Sequence, residues 1–448
     1  LGGSPLVVTV AAAVNPNNVL FNNASKTYTL TGPGALSGVG GVIKSGAGGL
    51  TLALPNVSSG GVSVEDGAGT VTVFVAPTQD GLGSGPVAIG AGSTLVLNNT
   101  NGSAASVSKA NVFGGSGTLG VLFATNTTAR STTLSGLSGF AGVVRVGSAG
   151  SATGDKLDVY GVDAPGATVQ VAASNTLQVG RNGAPVRLGG VSVSGSGNAE
   201  ASGALRFGTS ASLLEAPVTI LGDATLASDA AGATLSGSIT GSAQTGETNV
   251  LTQGTASSTA GFRLSGAIAD GSNGGRVTLV QSKGSLTLAG SSTYGGGTTV
   301  NGGGTLVLGA NNALPVGGSV VLGGTNGVGN GVGSVALGDY SQTIDSLAAL
   351  SVGTSYNTIT VSPGQALGIT GAAGLSVGLD AGVSSETRLK MAGGGALVMS
   401  HASANVTVGK GQFDESGTGT GVLDLSDLGS VTLGSAAAPI GEVRVAYG

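Results

Sequence analysis

Residues Lys283–Leu308 read KGSLTLAGSSTYGGGTTVNGGGTLVL. Leu286 and Leu288, and again Leu306 and Leu308, stand two residues apart, the period of a strand whose alternate side chains share one side. Between these pairs lie Thr298-Thr299-Val300 and the triplets Gly295-Gly296-Gly297 and Gly302-Gly303-Gly304, residues that tolerate positive φ and leave room at a bend. The stretch therefore reads as three short strands and two bends. Residues Lys44–Val73, KSGAGGLTLALPNVSSGGVSVEDGAGTVTV, repeat the order. In both, the strand behind the glycine pair starts twelve residues after the first Leu, Leu50 to Val62 and Leu286 to Thr298. One such unit has too little apolar surface to fold alone. Copies stacked along an axis bury one another's inward Val, Leu and Ile.

The bend recurs with fixed length. Six residues separate the last apolar position of one strand from the first of the next in Val300 to Leu306, Ile89 to Leu95, Val171 to Leu177, Val361 to Leu367, Ile369 to Leu375, Met391 to Leu397 and Leu425 to Val431. No long stretch carries the i, i+3, i+4, i+7 pattern of a helix. The expected fold class is all-β, a parallel β-helix (β-solenoid) of short strands with Gly-rich corners, at roughly 20 to 25 residues per turn. Antiparallel hairpins in a sandwich or barrel would also give short strands and Gly turns, but would not repeat a three-strand unit.

Composition agrees and excludes several classes. Glycine supplies 88 of 448 residues without a period of three, which rules out collagen. A 40% apolar share, a mean hydropathy of +0.37 and a net charge of only −5 rule out a disordered chain. Zero cysteine removes disulfides and thiolate chemistry. With 16 Lys+Arg against 21 Asp+Glu and no basic run, nucleic acid and anionic membrane surfaces are not expected partners. The most continuous apolar run, Leu6–Val14, is too short to span a bilayer, so no membrane insertion by this segment is expected. The chain begins at Leu1 without an initiator Met or a basic leader, as a mature product or a piece of a longer one does.

The stretches Gly295–Pro315 (GGGTTVNGGGTLVLGANNALP) and Gly41–Val64 (GVIKSGAGGLTLALPNVSSGGVSV), with looser copies at Gly85–Leu97 and Ala167–Val179, resemble the autotransporter-associated β-strand repeat. The resemblance implies a right-handed β-helix in the secreted passenger of a large bacterial surface protein, carried out through a C-terminal outer-membrane barrel. Such passengers commonly act as adhesins, biofilm components or surface stalks. The end at Val443–Gly448, poor in aromatic residues, departs from the strands of such a barrel. The resemblance then implies either a barrel that has been removed or another anchor.

Residues that carry chemistry are few. His401, in LVMSHASAN, is the only histidine, and neither a nucleophile elbow nor a helix accompanies it; Asp414 and Glu415 are its nearest acids in sequence. Asp155, Asp158 and Asp163 in GDKLDVYGVD form the best oxygen cluster for calcium, with Asp424 and Asp427 second, but one degraded copy of a tandem motif reads as solvated loop carboxylates. Gly115-x-Gly117-x-x-Gly120 matches a dinucleotide fingerprint only by glycine abundance. Tyr28, Phe74, Phe113, Phe123, Phe140, Tyr294 and Tyr340 read as core fillers rather than a sugar groove. Asn-x-Ser/Thr sequons at Asn23, Asn56, Asn98, Asn101, Asn126 and Asn405 carry no weight in a Thr/Ser-rich bacterial product. No catalytic, cofactor-binding or metal-ligating residue is singled out, and no cofactor is expected.

The expected organisation is a solenoid region at 1–379 followed by 380–448, where 11 of the 37 charged residues collect, as a cap or association region. The leading function is a non-catalytic exported surface protein, a stalk or adhesin passenger at the bacterial cell surface, meeting a glycan, a protein or its own copies. A self-assembling extracellular filament, layer or matrix component is the alternative, and a polysaccharide-active β-helix enzyme the third.

Overall fold

The computed structural model describes residues 5–76, 79–100, 106–123, 131–147, 154–180, 184–200, 203–256, 260–324, 331–350, 354–378, 386–409, 420–435 and 439–445. Among them every named element is a strand and none is a helix. The strands stack in parallel as a β-solenoid, the one antiparallel strand pair among the described residues being Val75↔Asp80 and Ala76↔Gln79. The chain divides into two compact units, Leu1–Pro217 and Val218–Gly448. The shift in charge at residue 380 falls within the second unit, and the 379/380 boundary itself lies outside the described residues.

In the first unit one face stacks Leu6–Thr9, Tyr28–Thr31, Leu50–Ala53, Thr70–Ala76, Thr94–Asn99, Thr118–Phe123 and Val143–Val146, then the later parts of Asp163–Val171 and Val186–Gly195. A second face stacks Asn18–Asn22, Gly41–Ser45, Val62–Val64, Val87–Ile89, Phe113–Gly115 and Gly139–Phe140. A third begins at Val107–Lys109 and continues through Thr132–Leu134, Lys156–Val159, Thr176–Val179 and Leu205–Phe207. Register pairs on the first face, such as Leu50↔Val71 and Thr118↔Val143, give 21 to 25 residues per turn.

The three-strand unit resolves into one full turn plus the strand that closes it: Val71 lies beside Leu50, and Leu306 beside Leu286. In the second unit the turns are less uniform, from 19 residues at Leu279↔Thr298 to 37 at Val406↔Val443, longer than the expected 20 to 25. The surplus sits in loops between strands, since the registered strands keep the short lengths of the first unit.

Alternation builds the core. Leu30, Leu52, Val73, Leu97, Val121, Val146, Val171 and Val193 form one aliphatic file, all buried. Phe262, Leu286, Leu306, Val335, Ile359 and Met391 form another in the second unit. Each such side chain contributes roughly 1.5–3 kcal/mol of burial, and no coil could collect it without its neighbours. All seven six-residue spacings fall where one strand ends and the next begins, for example between Val87–Ile89 and Thr94–Asn99. The corners explain the glycine: among the described residues 34 glycines have positive φ against only Ser174, Ala211 and Asn312 among the other types.

Candidate functional site

The three aspartates of GDKLDVYGVD do not converge. Asp163 opens the strand Asp163–Val171 at the surface, 3.9 Å from Arg187, which also bonds Glu215. Asp155 is buried at 3% exposure just ahead of the strand Lys156–Val159. Its N–H donates to Asn175 Oδ1 (2.6 Å) and its carbonyl accepts from the Thr176 N–H (2.9 Å). Burial pushes its carboxyl up to about 7, against the opposing effect of a hydrogen bond from the Phe123 backbone. Asp158, also buried, stands in register between Thr133 and Gln178. Among the described residues no group of three or more His, Asp or Glu could hold a metal ion.

What the solenoid assembles instead is an ion triad. Lys156 Nζ reaches both oxygens of Glu200 (2.9 and 3.3 Å), and Arg206 bonds the same carboxylate. Burial works to raise the Glu200 carboxyl, but the two cations outweigh it and hold the group below its ordinary range. Lys156 and Arg206 come from the strands Lys156–Val159 and Leu205–Phe207, which flank Thr176–Val179 on either side, so the triad ties together turns that are not direct neighbours. A pair of carboxylates across a sugar-sized gap, as glycoside hydrolysis needs, is a different arrangement.

A second charged cluster lies on the outward side of Tyr356–Thr360, Thr387–Ala392 and Gly421–Asp424. Tyr356 and Arg388 are register partners, with the guanidinium carbon 5.4 Å from the ring centroid, and Arg388 bonds Glu386 (2.5 Å). Lys390 pairs with Asp427 at 2.6 Å and Asp424 at 3.8 Å. The Ser426 hydroxyl and N–H hold the Asp424 carboxyl below its ordinary range, while the bond to Asp427 holds Lys390 above its own. This is the charge concentration visible in the sequence; its pairing with Tyr356 depends on a register no local pattern announces.

The remaining candidates have structural places. His401 Nδ1 accepts from the Ser403 N–H (3.1 Å) at a corner, while Asp414 and Glu415 lie outside the described residues. Phe113, Phe140 and Tyr294 are fully buried, the last bonding Thr298 through its hydroxyl (2.6 Å). Tyr28, Phe74, Phe123 and Tyr340 are partly buried. Gly115 ends the strand Phe113–Gly115, Gly117 sits in the corner that follows, and Gly120 lies within the strand Thr118–Phe123. Two sequon asparagines, Asn23 and Asn56, are buried corner staples, donating to Gly49 O (3.0 Å) and Gly81 O (3.2 Å); Asn101 and Asn126 lie outside the described residues.

Sequence reasoning missed two buried cations. Lys44 Nζ donates to the carbonyls of Ser45 (2.7 Å), Gly46 and Ala68 (3.1 Å), and burial holds its pKa below the ordinary value. Lys109 pairs with Asp80 at 2.5 Å. Parity was the available signal for Lys44, two residues after the inward Val42. At the outermost described turns, Leu6–Thr9 pairs only with Tyr28–Thr31 and Ser430–Leu433 only with Ala396–Met399, and both strands are exposed along their length. Among the described residues no helix is long and apolar enough to cross a membrane. Comparison with protein-family models, with curated proteins and with solved structures returns no match.

Proposed function

We propose that this chain is a non-catalytic, exported surface protein: a β-helical stalk or adhesin passenger of the autotransporter type at the bacterial cell surface, meeting a surface glycan or protein. The observation that carries the reading is the outward register of the turns. On the second unit's face, Thr225, Thr252, Val280, Thr299, Val321, Ala348, Ser376 and Thr407 follow one another turn by turn, a file of small uncharged side chains over an aliphatic interior. A surface built this way is repetitive and neutral, and suits spacing and broad contact better than a pocket does. The test is cell-based. Bacteria bearing the chain lose it to protease added outside, and adhere to abiotic or glycan-coated surfaces better than cells lacking it. An internal, protease-protected location, or hydrolysis of polysaccharide by the purified chain, overturns the proposal.

A self-assembling filament, layer or matrix component is the second reading, in which the same neutral outward file from Thr225 to Thr407 meets its counterpart on another copy. Sedimentation separates the readings: species that grow with concentration support assembly, and a single species at all concentrations supports the stalk.

A further inference from the structure

The first unit contains a buried acid that the proposed function does not use. Asp155 shares the parity of Leu157 and Val159, both buried, and so belongs to the core side, whereas Lys156 and Asp158 belong to the other side of the strand. Its backbone is bound to the following turn through Asn175 and Thr176, and its carboxyl takes the Phe123 N–H of an earlier turn. The other carboxyl oxygen, Oδ2, is buried without a hydrogen-bond partner. The strands around it, Thr118–Phe123, Thr132–Leu134 and Thr176–Val179, contain no titratable residue. Among the described residues, the other charged groups between Phe123 and Arg206 are Arg145, Lys156, Asp158, Asp163, Arg187, Glu200 and Arg206; Lys156 and Arg206 are committed to Glu200, Arg187 to Asp163 and Glu215, and Arg145 bonds Gln170.

From this geometry we infer that Asp155 is a proton-operated latch: the neutral acid seals the corner joining the turns of Phe123, Asp155 and Asn175, and its ionisation opens that corner. Among the described residues no cation pairs with the Asp155 carboxyl, so an ionised carboxylate there would have one backbone donor, and a buried charge with that little support is relieved by admitting water. The sign follows from linkage. The folded-state pKa is raised to about 7 from 3.8, so the stabilisation is fully present below about 4 and is lost as the pH rises through about 7. Between about 4 and about 7 each pH unit multiplies the opening equilibrium of the corner about tenfold, and above about 7 it levels off.

The test uses the full chain. Carbon-detected NMR titration of the Asp155 carboxyl reads the proton directly, with a midpoint near 7 expected; a midpoint near 4 overturns the latch. Hydrogen exchange at the amides of Asp155 and Thr176, corrected for the intrinsic pH dependence, is expected to accelerate about tenfold between pH 5 and 6 and to level off above about 7. In Asp155→Asn, which keeps the shape and removes the charge, that corrected acceleration is expected to vanish; its persistence overturns the proposal. Should the variant fail to fold, the wild-type titration still decides.

Discussion

Gly61 and Gly67 look alike in sequence and differ in what they permit. Both have positive φ, 79° and 65°, but a Cβ on Gly61 would sit 1.9 Å from the carbonyl oxygen of Pro86 in the next turn, while nothing lies within 4 Å of one on Gly67. Gly67→Ala should therefore lose only the left-handed penalty, about 1–2 kcal/mol. Gly61→Ala must also push two turns apart and should lose at least about 3 kcal/mol, as read by the shift in urea midpoint. The glycine pairs were legible as bends; which member of a pair touches the next turn was not, because that depends on a residue 25 positions away. Lys44 makes the same point with a charge. Lys44→Met keeps the bulk but leaves the carbonyls of Gly46 and Ala68 without that donor, a loss of about 1–3 kcal/mol for each acceptor left unpaired. Equal stability of Lys44→Met and wild type in urea would show that the ammonium's desolvation cancels its hydrogen bonds.

A strand in this molecule is a two-sided object with unequal sides. In Thr94–Asn99, Leu95 and Leu97 are fully buried between Val71 and Val73 on one side and Leu119 and Val121 on the other, while Val96 faces out between Thr72 and Gly120. Leu97→Ala should lose about 2–5 kcal/mol through the cavity it leaves, and Val96→Thr less than about 0.5 kcal/mol; thermal melts of the two variants check the contrast, and equal losses would mean that the faces are misassigned. Alternation is a property of the chain itself, so this level was readable in advance, corners included. The ion triad was not. Lys156 and Glu200 are 44 residues apart and meet only because intervening turns have particular lengths. Its linkage runs opposite to that of Asp155: with the Glu200 pKa lowered, the stabilisation is present above about 4.5 and is lost as the pH falls through the lowered value. Glu200→Gln should remove that acid sensitivity and leave Lys156 and Arg206 short of a counter-charge, at a loss of about 1–3 kcal/mol near neutrality, measured as urea midpoints at pH 3 to 7.

Each unit as a whole is a chain of nearest-neighbour contacts. A strand of the first unit's main face is hydrogen-bonded to the equivalent strands one turn before and one turn after, about 21 to 25 residues away, and the file of inward side chains follows the same order. Cooperativity in such a stack passes from turn to turn, unlike that of a globular core where every element touches several others. Damage should therefore spread by proximity along the stack. With Leu97→Ala, amide exchange should rise most in Thr94–Asn99, less in its neighbours Thr70–Ala76 and Thr118–Phe123, and hardly at all in Val186–Gly195, four strands along the same face. Peptide-level exchange followed by mass spectrometry reads all four stretches in one experiment. A graded profile marks the stack as a series of coupled turns, and a uniform rise across the unit would mean that it opens as a single block. The gradient also bears on the proposed role. A surface spacer whose turns open one at a time can yield locally under load or at a shift in pH and close again, because each remaining turn still presents the register on which its neighbour re-forms.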